Sequence, residues 1–335
     1  YMSIDYIYLG TWLPRTHVHL REFYDFLKNS HGTDLDLDQL KTLHRELNAE
    51  NLKYNNNLEL DNLTFNSGKI IVTITEDGII QLMTDKVSNL TIDLEQVESF
   101  YVNKLGPALA YLFSRGAPLP QTLFDIEELY PKMFVGQNIT REEAEKIMSD
   151  QNSKFLTTGV DENMEVSHGN NIKIINILKS NSGFDEFIMN AIFIDSFSDL
   201  LRRYLIAHRN IWSDISSIRE ANNISYGDFP AARSKILESL KNISFIKTRL
   251  LQMTEILSAR SIITKKILKE ELVVLCFENF RFLDASCHYF DNLYQMTADY
   301  AQSTLTLFET LIAENTQREV RLLQQITIFS AFVGF

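Results

Sequence analysis

The sequence predicts an α+β fold: an α/β domain, then an antiparallel helical hairpin, then one very long helix. Three observations predict it. Short apolar stretches punctuated by Gly, Asn and Asp fill the first half, turn residues become scarce after Phe184, and neither Gly nor Pro occurs between Lys265 and Gly334. The expected boundaries are residues 1–182, 183–264 and 265–335.

In the first domain, "IDYIYLG" from Ile4 to Gly10 alternates and reads as a strand, while Leu20, Phe23, Tyr24 and Leu27 recur at helical spacing. Two or three strands follow between Leu58 and Asp85. They are broken at Asn66-Ser67-Gly68 and Glu76-Asp77-Gly78, where Gly supplies the positive φ of a tight hairpin. Thr140 followed by Glu143 is a capping box that opens a helix, and "IKIINIL" reads as a closing strand.

From Phe184 to Asn222-Asn223 the pattern is one long helix. "YGDFP" breaks it before a second helix from Ala231 to about Arg260. The third helix carries a stripe through Leu272, Cys276, Asn279, Leu283, Phe290, Leu293, Thr297, Tyr300, Thr304, Phe308, Leu311 and Asn315, at spacings of three, four or seven. Seventy residues at 1.5 Å each would run roughly 100 Å, so this helix needs partners. A buried seam favours Leu and Ile, so Asn279, Thr297, Thr304 and Asn315 point to a water-filled axis between symmetry-related helices. A coiled coil packed on its own hairpin is the competing reading. Phe280, Leu283, Phe290, Leu293 and Tyr294 are expected to be buried.

Composition narrows the function. Forty-four acidic against 32 basic residues give a net charge of −12, which opposes general binding to nucleic acid or anionic lipid. The two cysteines, Cys276 and Cys287, would lie roughly 16 Å apart on one helix, too far for a disulfide, which fits reduced thiols in cytoplasm. No secretory signal is visible, and Tyr1 before Met2 reads as a tag remnant. No nucleophile with a base, no phosphate-cradling loop and no paired carboxylates stand out, so an enzyme is not expected.

Three local groups are candidate sites. Asp34, Asp36 and Asp38 alternate and would line one face of a strand as oxygen ligands for a metal. They equally suit a helix start, with Thr33 or Asp34 as cap. Trp12 and Arg15, with His17 and His19, sit in a strand-to-helix connection able to bind an anion or simply to pack. Arg202, Arg203, Arg209 and Trp212 lie on the first hairpin helix, where guanidinium and indole would pair with phosphate and stack on a base. The same arginines also suit a solvated face paired with Asp199, Asp214 and Glu220.

The last helix resembles the CorA family of divalent-cation channels. Asn315 matches that family's Asn-rich stretch, Glu319-Val320 its acidic-apolar pair, and Thr327-Ile328-Phe329 the run that enters the bilayer. Arg318 stands where the family usually has a second pore-lining Asn, and Ser330 where a Pro commonly follows. The family's Gly-Met-Asn signature would lie just past Phe335. The resemblance implies a homopentameric pore lined by Thr297, Thr304, Leu311 and Asn315, with Mg2+ or a related divalent cation as cargo or regulator. Arg318 would point away from the axis. A membrane segment would begin near Gln325, with most of this chain on the cytoplasmic side of the cell inner membrane. Eleven residues are too few to span, since about 20 are needed. The alternative is a CorA-like membrane effector of CRISPR-type immunity gated by a nucleotide second messenger, with no nucleic acid partner. A third is a soluble interaction protein with a coiled-coil helix.

Overall fold

The computed structural model describes residues 4–13, 19–30, 35–56, 60–113, 129, 131–160, 162–170, 172–179, 183–220, 228–267 and 270–333, without the side chains of 267–278 and 329–333. The chain divides into two units. One comprises residues 1–200 with 252–284, the other residues 201–251 with 285–335.

The first unit is built on a nine-stranded sheet. Strand β1 (Ile4–Trp12) pairs antiparallel with β5 (Ile79–Asp85) on one side and β6 (Lys132–Gly136) on the other. A central strand is buried on both faces, which is why "IYLGTW" is apolar almost without interruption. Outward from β5 the sheet continues through β4 (Ile70–Thr75), β3 (Asn62–Ser67) and β2 (Glu50–Asn55). Outward from β6 come β9 (Ile172–Ile177), β8 (Met164–Gly169) and β7 (Phe155–Val160). The β6–β9 ladder is parallel and the other ladders are antiparallel. The expected hairpins close at Gly68 and Gly78, both at positive φ, and an added Cβ at Gly78 would fall 2.3 Å from the Leu13 carbonyl oxygen.

Helices cover both faces. Ile7 and Leu9 of β1 join a core with α1 (Leu20–Asn29), α2 (Leu37–Leu47), α3 (Leu90–Phe100), α4 (Gly106–Phe113) and α5 (Arg141–Asp150), through Phe23, Phe26, Leu40, Leu94 and Ile147. A π-helical turn, Tyr101–Leu105, joins α3 to α4. Tyr8, Gly10 and Trp12 turn to the opposite face, toward the start of α6 (Phe184–Arg219). There an added Cβ on Gly10 would approach three atoms of the Ile192 side chain at 2.5 to 2.7 Å, so only glycine lets α6 lie this close to β1. The Thr140–Glu143 capping box forms at the start of α5 as expected.

The second unit is formed by α6 from Leu201, α7 (Phe229–Ile267) as far as Leu251, and α8 (Glu270–Val333) from Ala285. Its core holds Tyr204, Ile211, Ile215, Ile236, Ile243, Ile246, Leu250, Phe290, Tyr294, Leu305 and Phe308. Phe229 and Phe308 meet edge-on at 5.5 Å. Lys235 reaches Asp214 at 2.7 Å and Lys247 reaches Asp291 at 3.4 Å, tying α7 to its two neighbours.

Candidate functional site

Two polar members of the α8 stripe, Thr297 and Thr304, face inward. Thr297 and Thr304 are fully buried within the second unit. Each hydroxyl donates to the carbonyl four residues earlier, Thr297 to Leu293 at 2.9 Å and Thr304 to Tyr300 at 2.8 Å. A threonine satisfied by its own helix can lie on a core face without an orphaned donor, which the expectation of a water-filled axis at these positions overlooked. Of the remaining pair, Leu311 is 38% exposed and Asn315 half-buried. Phe280, Leu283, Phe290 and Tyr294 are buried as expected, and Leu293 is half-buried. Asn279 is exposed.

Around Thr297 lies a cluster that the sequence reading assembled only in part. His208 Nε2 stands 2.7 Å from Thr297 Oγ1. Because the Thr297 proton is spent on Leu293, the imidazole is the donor and carries its proton on Nε2. Tyr294 packs edge-on against His208 at 5.4 Å and donates its own hydroxyl to the Tyr204 carbonyl at 2.6 Å. Burial, then the neighbouring Arg209 charge, hold the His208 imidazole below its ordinary value. Burial pushes the Tyr204 and Tyr294 phenols up, out of any physiological range.

Trp212, 41% exposed, stacks on Tyr300 at 4.7 Å and on His208 at 6.4 Å. Arg219 lies over the same Tyr300 ring at 4.5 Å and donates to Ser303 Oγ at 3.2 Å. Arg219, seven residues beyond Trp212 on α6, thus brings its guanidinium to the ring on which Trp212 stacks. Arg202 and Arg209 are exposed on α6, and Arg203 is half-buried.

In the first unit, Trp12 is a core residue. It is 3% exposed, stacked on Phe197 at 5.2 Å and edge-on to Phe193 at 5.0 Å, with its Nε1 donating to the Asp77 carbonyl at 2.9 Å. Arg15, His17 and Asp34 lie outside the described residues. Asp36, rather than Thr33 or Asp34, caps α2 by accepting from the backbone N–H of Asp38 and Gln39 at 2.8 and 3.0 Å. Asp38 sits in the first turn of that helix with its side chain 98% exposed, so no strand aligns these carboxylates. Among the described residues no group of three or more His, Cys, Asp or Glu is placed to hold a metal ion.

Sequence reasoning missed Arg260. It is 1% exposed and donates to Asp77 at 3.1 Å, Glu186 at 2.6 Å and Asn190 at 3.1 Å. Thr264 adds a bond to the same Asn190 oxygen at 2.7 Å. The signal was available: Arg260 follows buried Ile256 and Leu257 at helical spacing, an arginine on an apolar face. It joins the β4–β5 turn to α6 and α7 through a buried polar network.

No family model and no curated protein matches the chain. By structure it is similar to the CorA magnesium transporter from Methanocaldococcus jannaschii, at 11% identity over 62% of this chain and 81% of that one, with a TM-score of 0.32. It is similar also to the ZntB cytoplasmic domain from Vibrio parahaemolyticus, at 12% identity over 56% of this chain and 89% of that one, with a TM-score of 0.27. Among the described residues, no helix is long and apolar enough to cross a membrane.

Proposed function

We propose that this chain is the cytoplasmic part and stalk of a CorA-like channel subunit that passes Mg2+ or a related divalent cation through a homopentameric pore in the cell inner membrane. One observation carries the reading. Among the described side chains of α8, Phe308 is the last buried one, yet the helix continues to Val333, and Leu311, Val320, Leu322, Leu323, Ile326 and Ile328 are 38 to 63% exposed. An isolated helix in water gains little from propensity, so a segment this long and this apolar calls for packing partners. Further copies of the chain, and a bilayer at the apolar end, supply both. The resemblance at Asn315, Glu319-Val320 and Thr327-Ile328-Phe329 supports a membrane entrance at the same segment. Conduction requires oxygen ligands that replace part of a hydration shell without retaining the ion. The full-length protein in liposomes should pass Mg2+ or another divalent ion. A preparation that is assembled but silent to every divalent cation would refute the transport reading.

A second reading keeps the membrane assembly and makes it a CRISPR-type immune effector gated by a nucleotide messenger. It is favoured by the half-exposed Trp212 beside exposed Arg209 on a strongly acidic chain. Two charge-assisted contacts are worth roughly 1.5 to 3 kcal/mol each, so replacing Arg202 and Arg203 together by Ala should weaken binding of a labelled adenine nucleotide at least about a hundredfold. Mg2+ flux would be unaffected. Equal affinity in the double variant, or no binding by either protein, would remove the arginine site.

A further inference from the structure

We infer that His168 of β8 is the acid-sensitive part of a clasp that holds α6 to the sheet, and that a proton on it loosens the contact between Lys173 of β9 and Asp195 of α6.

The clasp is built from neighbouring elements of the first unit. Lys173 lies directly opposite His168 in the antiparallel β8–β9 ladder. Directly opposed residues point to the same face of a sheet with their Cβ atoms about 5 Å apart, so imidazole and lysine stem are side-by-side neighbours. On that face the Lys173 ammonium reaches the Asp195 carboxylate. The Lys173 side chain is 14% exposed and that of Asp195 31%, while His168 is half-buried. Solvent therefore screens these charges less than it screens a surface pair. The first unit runs along α6 as far as Leu200, so Asp195 fastens the last turns of this helix that belong to it.

Of these three residue types, only histidine ordinarily changes charge between pH 5 and 8. The groups around it decide what the added proton does. On its other side His168 pairs with Thr157 of β7, a neutral hydroxyl. From β9 it meets the Lys173 cation, and from α6 the Asp195 carboxylate. A proton on His168 sets two like charges directly opposite each other in the ladder, which is destabilising, and it offers Asp195 a second cation. Both effects weaken the same contact, because the lysine is repelled while its carboxylate is shared.

The balance of these groups fixes the direction. Burial first, then Lys173, hold the imidazole below its ordinary value of 6.5, against the smaller pull of Asp195. The folded clasp thus prefers the neutral ring. Its grip is complete above pH 6.5 and is lost as pH falls toward the folded value.

The test uses the full chain. Deuterium exchange at the histidine C2 position, followed by mass spectrometry, reads the titration of each imidazole in place. His168 should titrate below 6.5, and Lys173→Met should raise its midpoint, since the opposing cation is gone while Asp195 stays. Amide exchange over residues 172–177 and 184–200, corrected for intrinsic rates, should quicken by about fivefold between pH 7.5 and 5.5, the factor that corresponds to about 1 kcal/mol in a cross-strand pair. His168→Gln should abolish that acid response, whereas His208→Gln, in the second unit, should leave it unchanged. A midpoint at or above 6.5, a midpoint indifferent to Lys173→Met, or amide exchange with the same pH dependence in the parent and in His168→Gln would each overturn the inference.

Discussion

Arg260 offers the most demanding test of how the first unit is held together. Its guanidinium is 1% exposed and engages Asp77, Glu186 and Asn190, so truncation would take the Arg260 charge away from two part-buried carboxylates. Removing one member of a buried ionic group costs about 3 to 5 kcal/mol, because the partner charges lose their compensation without regaining water. Arg260→Ala should therefore destabilise the first unit by about that amount. Arg260→Lys should recover only part of it, since an ammonium cannot reproduce a planar fork reaching three acceptors. Trp12 reports the event directly, because its indole donates to the carbonyl of Asp77 in the same turn. With Trp212 replaced by Phe, Trp12 is the sole indole, and urea unfolding followed by its fluorescence reads this unit alone. A shift under about 1 kcal/mol for Arg260→Ala would show that the network is not holding the turn to the helices, and the reasoning would fail. The triple change Arg260→Met, Asp77→Asn, Glu186→Gln is the control: with no charge left behind, it should be milder than Arg260→Ala alone.

Two further outcomes follow from the geometry. His208 is held below its ordinary value of 6.5 by burial and by Arg209, so the folded state prefers the neutral ring. Its contribution is then full above pH 6.5 and is lost as pH falls toward the folded value. Unfolding midpoints from pH 7 to 5 should fall in the parent and fall less in His208→Gln; parallel profiles would count against it. Gly10→Ala should cost about 1 to 3 kcal/mol through its collision with Ile192, and Ile192→Ala in the same chain should relieve part of that cost. Additive losses in the double variant would mean that the two positions do not meet.

What could be read from the sequence was whatever neighbouring residues decide among themselves. The Thr140–Glu143 box and the turns at Gly68 and Gly78 depend on interactions within a few residues and formed where they were expected, and the first long helix begins at Phe184 as expected, whereas α7 runs from Phe229 through the expected end near Arg260 to Ile267. Strands β6, β7 and β8 escaped notice because they are only five or six residues long and their partners lie elsewhere in the chain. Tertiary structure decided which way each amphipathic element turns and which charges meet. Arg260 finds Asp77 across 183 positions and Glu186 across 74. Trp12, a candidate ligand residue by sequence, became core because α6 brought Phe193 and Phe197 to it. The phase of α8 shows the reason most plainly. A 3.5-residue period tells that a helix has a preferred face, but Thr297 and Thr304 suit an aqueous axis or a dry interior equally well, since each hydroxyl can bond its own backbone. Only the arrival of His208 and the apolar side chains of α6 and α7 on that side made it the interior, leaving the opposite side of the helix for whatever lies outside the chain.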